Sequence, residues 1–338
     1  MKLFLVGDFV SNSGPAIANK MLRKGLANRQ VLYSDAKNKL TRILEIFVKT
    51  LMADCVCFCS YSKANYTGIR IARLLNKKVF YIMHGYRTFE NKINKENISG
   101  DELRKINESE KYLFKNVDKV FCVSAKFMEF MKQTEPDYAH KFDYNNNGID
   151  IARIEQNASL YSTHKKSNQI ISIGGGMRQK NNLTICKAID KLNQEKGLDL
   201  NYIVIGLPYT DKKEICSYEF VTYYEKLPYE QVLRILADSY LYIQNSCFET
   251  FGLAVIEALI SNCNLLISNN IGAIGVIDTI ESGDLIYDTA DVDEIAGKIE
   301  RIMHSGNVKR LQDGLDRGTL DYNQAGENLI NKIIDTLK

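Results

Sequence analysis

Strand-like and helix-like segments alternate along this chain of 338 residues, and the alternation runs twice. In the first half, strands are predicted at 2–6, 30–33, 54–59, 78–83, 119–123 and 142–145. In the second half, they are predicted at 169–173, 201–205, 220–224, 240–244, 264–268 and 285–287. Helical patterns separate most of these segments, which is typical of parallel sheets covered by helices. The sequence therefore predicts an α/β protein with two doubly wound, Rossmann-like domains.

The two series are separated by a polar stretch, residues 152–168, which lacks sustained periodicity and predicts a linker. We place the first domain at 1–155 and the second at 156–320. A C-terminal helix follows at 321–338, and it has apolar residues on one face. Because that face must pack on something, we expect the helix to bridge back to the first domain.

Composition excludes several classes of protein. No segment approaches eighteen uninterrupted apolar residues, and no signal-peptide pattern follows Met1, so a soluble, cytoplasmic protein is expected. The eight cysteines mostly lie in apolar runs and predict reduced, buried thiols. The cluster CVCFC at 55–59 favours a buried strand over a metal site, because no further ligands are apparent.

The net charge of +3 is unevenly spread. Residues 1–155 contain 26 Lys and Arg against 17 Asp and Glu, whereas residues 156–338 contain 18 against 24. The basic first half is either a solvated surface or a face for an anionic membrane or acceptor, with 20–29 and 37–42 as contact helices. We expect no nucleic-acid partner.

Two glycine-containing loops follow predicted strands. Gly14, in SNSGPAIANK, would open the first helix and direct backbone N–H groups towards a ligand, although glycine is also common before helices. The loop GGGMRQKNN (174–182) permits close backbone approach, and Arg178 and Lys180 supply cations for a diphosphate. The alternative interpretation of this loop is a glycine-rich turn with exposed basic residues and no ligand. We interpret NNNGID (145–150) as a tight turn that uses positive φ angles.

The stretch NSCFETFGLAVIEAL (245–259) combines a buried strand end, a turn and a helix. Glu249 lies in the turn and Glu257 two helical turns further on, so one ligand could meet both carboxylates. Between them, the backbone amides of 250–253 predict an anion-binding nest at Thr250, Phe251, Gly252 and Leu253. Acids that accept hydroxyls beside an anion nest suit a sugar nucleotide.

The pattern E-T-F-G-L-x-x-x-E-A-L resembles the hallmark of the retaining GT-B glycosyltransferases of family 4, the glycosyl transferases group 1. The similarity extends to Gly14, MHGYRTFE (83–90), VSAKF (123–127), NNGID (146–150), GGGMRQKN, VIG (204–206) and IGAIGVI (271–277). The resemblance implies a GT-B fold, with an acceptor-binding first domain and a second domain that binds a nucleotide sugar across the cleft between them. The chain departs from the family pattern in the spacing of Arg178 before Lys180, in NCN (262–264) where glycine-proline is usual, and in its short first domain.

The resemblance also implies residue roles. Glu249 would bind the sugar hydroxyls, Glu257 the ribose, and Arg178 and Lys180 the leaving diphosphate. His84 would lie near the transferred carbon, and Gly14, Gly176 and Gly206 near the donor. No metal or cofactor is expected, because the sequence has no Asp-x-Asp of the kind that metal-dependent glycosyltransferases use.

The predicted function is a retaining hexosyltransferase that uses a UDP-sugar or, alternatively, GDP-mannose. The acceptor would be a glycan, glycolipid or glycoprotein hydroxyl in bacterial surface-polysaccharide or glycoconjugate assembly. Two rivals stay open: a nucleotide-sugar epimerase or phosphorylase of the same fold, and a catalytically silent partner subunit.

Overall fold

A computed structural model describes residues 1–11, 13–36, 38–59, 62–94, 98–161 and 165–338. The chain divides into two compact units. The first unit contains residues 1–91, 95–150 and 317–338, and the second contains 92–94 and 151–316. Each unit has its own six-stranded parallel sheet, which confirms the predicted α/β architecture.

The sheet of the first unit has the order β2-β1-β3-β4-β5-β6. Its strands are β1 (Leu3–Val6), β2 (Val31–Tyr33), β3 (Cys55–Phe58), β4 (Lys78–Met83), β5 (Lys119–Cys122) and β6 (Phe142–Tyr144). The helices between them are α1 (Gly14–Gly25), α2 (Lys39–Met52), α3 (Lys63–Leu74), α4 (Arg87–Asn94), α5 (Gly100–Asn116) and α6 (Ala125–Thr134). The strands β1 and β3 are buried at every position, which explains why they read as unbroken apolar runs.

The sheet of the second unit has the order β12-β11-β10-β7-β8-β9. Its strands are β7 (Lys166–Ile173), β8 (Asn201–Ile205), β9 (Val221–Tyr224), β10 (Ser239–Gln244), β11 (Asn264–Ser268) and β12 (Leu285–Ile286). Its helices are α7 (Ile151–Tyr161), α8 (Asn182–Lys196), α9 (Lys212–Ile215), α10 (Tyr229–Asp238), α11 (Leu253–Ile260), α12 (Val292–Ser305) and α13 (Val308–Asp313). Each of the twelve predicted strands is present in the described part of the chain.

The C-terminal segment contains α14 (Arg317–Leu320) and α15 (Tyr322–Leu337), and α15 packs against α1. The approach is close, because a Cβ atom built on Gly25 would lie 2.0 Å from the backbone oxygen of Tyr322. Leu329, Ile330 and Ile333 of α15 are buried. The expectation that the last helix returns to the first domain is therefore confirmed.

Three details of the sequence interpretation are wrong. Most of the predicted linker (152–168) is regular structure. Residues 152–161 belong to α7, because Ile154 and Ala158 share a buried helical face despite the polar neighbours, and 166–168 belong to β7. Residues 162–164 lie outside the described residues. Gly148 does not have a positive φ. A Cβ atom there would lie 2.6 Å from Cα of Tyr322, so close packing on α15 explains the glycine. Cys216 is exposed rather than buried.

No helix in the described part of the chain is both long enough and apolar enough to span a bilayer.

Candidate active site

The turn that contains Glu249 links the end of β10 to the start of α11. Gly252 precedes the helix with φ 95° and ψ 58°, a left-handed conformation that L side chains rarely adopt, so glycine is required there. The backbone oxygens of Glu249 and Phe251 accept hydrogen bonds from Gly272 (3.0 Å) and Ala273 (2.7 Å). The segment IGAIGVI (271–277), which follows β11, therefore fixes the Glu249 turn through backbone hydrogen bonds.

The backbone amides at this helix start are the predicted anion nest. In the part of the chain that the structure describes, the N–H groups of Phe251, Gly252 and Leu253 donate no hydrogen bond. Thr250 is buried beside them. The first turn of a helix has N–H groups without intrahelical partners and the positive end of the helix dipole, so the geometry suits an anion.

The side chain of Glu249 is held by a cation and an amide. Lys180 forms an ion pair with Glu249, and both side chains are largely buried. Gln244 Nε2 donates to Oε2 of Glu249 at 3.0 Å, while Gln244 Oε1 accepts from the buried Tyr242 hydroxyl at 2.7 Å. This Tyr242–Gln244 pair fixes the carboxylate from within the sheet, because both groups lie on β10.

Lys180 is placed by the glycine loop. Gly174 has φ 148°, and a Cβ atom built on it would lie 2.5 Å from Cγ of Lys180. The loop is also tied to the strand end, since Gln179 O accepts from Cys247 N (2.8 Å) and Gln179 Nε2 donates to Phe248 O (2.8 Å). The glycine loop and the Glu249 turn thus form one connected structure.

Gly176 and Gly206 have a packing role that the sequence did not indicate. The N–H groups of Gly174 and Gly176 donate to the backbone oxygens of Ile205 (2.8 Å) and Leu207 (3.1 Å). A Cβ atom on Gly206, which has φ 146°, would lie 2.5 Å from the nitrogen of Gly175. A Cβ atom on Gly176 would likewise lie 2.6 Å from the nitrogen of Lys212, so close packing accounts for glycine at both positions without a ligand. The donor-binding role of Gly176 and Gly206 stays a prediction.

Arg178 points to a different partner from Lys180. Its Nε lies 3.8 Å from Oδ1 of Asp211, and the side chain is 46% exposed. Burial raises the pKa of Asp211, and the charge of Arg178 opposes that shift. Among the described residues, Arg178 forms no ion pair or hydrogen bond with Glu249, the partner of Lys180.

Glu257 lies within α11, where the Tyr229 hydroxyl donates to its Oε1 at 2.8 Å. Burial raises the pKa of Glu257, and the tyrosine hydrogen bond works in the opposite direction. Tyr229 begins α10 and also lies under the guanidinium of Arg153, 5.2 Å from the ring centroid. One carboxylate oxygen of Glu257 is therefore already engaged by the protein.

His84 follows β4 in the first unit. Its Nε2 lies 2.9 Å from Oδ1 of the buried Asn19, whose Nδ2 donates to the backbone oxygen of Asp8 at 3.1 Å. Because that carbonyl can only accept, the amide of Asn19 must turn its oxygen towards His84, and Nε2 carries the imidazole proton. Burial lowers the pKa of His84 to about 4, so the ring is neutral near pH 7.

His84 and Asn19 line a small pocket of the first unit with the asparagines at 145–147. Gly14 begins α1, which Ser13 caps by accepting from Ala16 N. A Cβ atom on Gly14 would meet nothing within 4 Å, so crowding does not explain this glycine. Its predicted donor-binding role stays a prediction, as do the roles of the other proposed site residues.

Comparison with known protein families finds a similarity within the second unit. Residues 155–313 match the model of the family described as Glycosyl transferases group 1. Over these residues, the second unit is thus similar to the glycosyl transferases of group 1. No curated protein sequence matches the chain.

Solved structures share the fold over nearly the whole chain. Anabaena HepE in complex with UDP has a TM-score of 0.71 at 13% identity, covering 99% of this chain and 100% of that one. Sucrose-phosphate synthase from Thermosynechococcus elongatus has a TM-score of 0.73 at 14% identity, covering 100% and 99%. An E. coli structure described as trehalose-6-phosphate bound with UDP-2-fluoro glucose has a TM-score of 0.70 at 11% identity, covering 98% and 99%. These likenesses establish the GT-B fold.

Sequence reasoning missed three residues that support the site in the second unit, Gln244, Tyr242 and Tyr229, and it missed Asn19 in the first unit. One signal was present, because Gln244 is a polar residue at the end of an otherwise apolar strand. The other contacts join residues far apart in sequence, such as Tyr229 with Glu257 and Asn19 with His84.

Proposed function

We propose that this protein transfers a hexosyl unit from a nucleoside-diphosphate sugar to a hydroxyl group, with retention of configuration and without a metal ion. A UDP-sugar is the favoured donor, and GDP-mannose is the alternative. The acceptor is a glycan, a glycolipid or a glycoprotein in bacterial surface-polysaccharide or glycoconjugate assembly. The protein would act in the cytoplasm, at the inner face of the cell membrane.

One observation carries this proposal: Lys180 and Glu249 form an ion pair next to the start of α11, where the N–H groups of residues 251–253 donate no hydrogen bond in the described part of the chain. A cation and free amides suit a diphosphate, and carboxylates suit sugar and ribose hydroxyls. The family match of residues 155–313 supports the same function. HepE, which shares the fold, has been solved with UDP-glucose, and this supports UDP as the nucleotide.

The proposed reaction occurs on one face of the sugar. The acceptor oxygen forms a bond to the anomeric carbon as the bond from that carbon to the diphosphate breaks, and the acceptor proton passes to the departing phosphate oxygen. Lys180 and the amides at 250–253 would stabilise the charge that grows on this oxygen. Glu249 would hold the sugar hydroxyls, so no covalent sugar–protein intermediate is formed.

A panel of nucleoside diphosphates in a thermal-shift assay tests the donor class. A ligand at 100 times its dissociation constant stabilises the folded state by about 2.7 kcal/mol. We expect UDP to stabilise the protein more than GDP, ADP or CDP. Stabilisation by none of them would contradict the proposal.

Product stereochemistry tests the mechanism. From an α-linked UDP-sugar, the NMR coupling constant of the anomeric proton should show an α-linked product. A β-linked product would contradict retention, and a sugar found covalently attached to the protein by intact mass would contradict the one-face reaction.

A further inference from the structure

An apolar stripe covers the exposed face of α2 in the first unit. Six large side chains of this helix are between 37% and 64% exposed, namely Ile43, Leu44, Phe47, Val48, Leu51 and Met52. At 3.6 residues per turn, these positions occupy about half of the helix circumference, while Ile46 and Thr50 are buried. Single exposed apolar residues are ordinary, but a continuous stripe marks an interaction surface.

The surroundings of the stripe are basic. Helix α2 packs against α3, since a Cβ atom on Gly68 would lie 3.1 Å from Cγ2 of Ile46. Residues 39–78, which span both helices, contain eight Lys and Arg and only two acids. Glu45 binds Lys49 at 2.6 Å, and Asp54 accepts from the backbone of Lys2 at 2.7 Å. Two acids outside this range also pair with its cations, Asp35 with Lys49 and Asp118 with Arg73 and Lys78, which leaves eight cations against four acids.

The outer surface of α3 also has exposed apolar and basic side chains. Leu74 is 84% exposed, and Arg70 on the preceding turn is exposed as well. On α1, Lys24 binds Asp150 at 2.6 Å and Arg23 lies 3.9 Å from Asp35, and none of the exposed large apolar side chains of the described residues lies on this helix. The α2–α3 surface, rather than α1, is therefore the basic surface with exposed apolar side chains.

We propose that the α2–α3 surface docks on a lipid bilayer with anionic headgroups, and that the apolar stripe of α2 inserts below them. This inference rests on the proposed function, because a transferase with a lipid-linked acceptor must reach that acceptor at a membrane. Apolar side chains on one face of a helix with cations around it bind such an interface through both burial and charge.

A second copy of the chain fits this surface poorly. A twofold dimer would place the same patch of both copies face to face. Two faces with this excess of positive charge would then repel each other, whereas an anionic membrane attracts them. The positive charge of the α2–α3 surface therefore favours an anionic bilayer over a second copy of the chain.

The absence of tryptophan from the chain allows a direct test. Phe47→Trp places one reporter on the stripe, and Leu160→Trp places one at a 65% exposed leucine on α7 of the second unit. With vesicles of phosphatidylcholine and phosphatidylglycerol, we expect the Phe47→Trp emission to shift to shorter wavelength and to be quenched by brominated lipid. The Leu160→Trp emission should do neither. No shift for Phe47→Trp, or an equal shift for both, would overturn the proposal.

Vesicle sedimentation provides the matched loss-of-function test. Leu44 and Leu160 are 64% and 65% exposed helical leucines, so Leu44→Ser and Leu160→Ser make the same chemical change. Leu44→Ser should lower the partition coefficient at least threefold and Leu160→Ser should not change it, because only the former removes inserted apolar surface. Equal binding to pure phosphatidylcholine vesicles would overturn the anionic-membrane assignment. A dimer in light scattering that Leu44→Ser abolishes would assign the stripe to a second copy instead.

UDP binding separates this inference from the proposed function. Leu44→Ser should keep the thermal stabilisation by UDP, since Leu44 lies in the first unit and the proposed nucleotide site in the second. If the wild type binds UDP but does not bind anionic vesicles, only the docking surface is overturned. Vesicle binding without UDP binding would overturn only the nucleotide-sugar function.

Discussion

The neutral state of His84 predicts how the stability of the protein depends on pH. Burial lowers the pKa of His84 to about 4 in the folded state, against about 6.5 in an unfolded chain. Between these values the unfolded state binds more protons than the folded state, so stability rises with pH. The contribution of His84 is complete above pH 6.5 and is lost as the pH falls towards 4.

The two pKa values set the magnitude. From pH 7 to pH 5.5, His84 should reduce the free energy of unfolding by about 1 kcal/mol, and by pH 4.5 the reduction should reach about 2 kcal/mol. Other groups titrate in the same range, so the comparison must be with His84→Gln, which lacks this one titration. The difference in unfolding free energy between the two proteins should therefore change by about 2 kcal/mol between pH 7 and pH 4.5.

Urea unfolding at several pH values measures this difference, and it requires a two-state transition in both proteins. The chain has only four histidines, so NMR titration of their ring protons, assigned with His84→Gln, gives the pKa directly. A difference in unfolding free energy that does not change with pH, or a measured pKa near 6.5, would refute the burial of His84 as described.

Three further predictions concern the second unit. Lys180→Ala should lower kcat at least tenfold because it removes the cation paired with Glu249, while Arg178→Ala, whose partner is Asp211, should have a smaller effect in the same steady-state assay. Gln244→Leu should lower kcat and destabilise the protein by about 1–3 kcal/mol, since it leaves the buried Tyr242 hydroxyl without its acceptor; unchanged kcat and urea midpoint would contradict this. Activity should survive excess EDTA, and a loss restored by Mg²⁺ or Mn²⁺ would contradict the metal-free reaction.

The regular elements were predictable because their patterns are local. All twelve strands follow from short apolar runs, and β8 and β11 have the predicted bounds. Helix α7 was missed because only a few apolar residues, including Ile154 and Ala158, mark its buried face among polar ones. Helix α7 is stabilised by the packing of this face, which the local periodicity of the sequence does not reveal.

The placement of Glu249 and Glu257 was predictable because both lie in one segment, in the turn before α11 and within α11; their roles stay predictions. Placement was not predictable where long-range contacts decide. Arg178 and Lys180 were both predicted to bind the diphosphate. In the structure, Arg178 lies near Asp211 and Lys180 pairs with Glu249. The tautomer of His84 likewise depends on Asn19, 65 residues earlier in the chain.

Isothermal titration of UDP into the wild type and into Glu257→Ala tests the central claim most directly. The account predicts that the wild type binds one UDP per chain. In Glu257→Ala, affinity should fall by about 1.5–3 kcal/mol, or roughly 10- to 150-fold, because the ribose hydroxyls lose a charged acceptor. No binding of UDP to the wild type, or equal affinity in the two proteins, would contradict the assignment of a nucleotide-sugar site to α11.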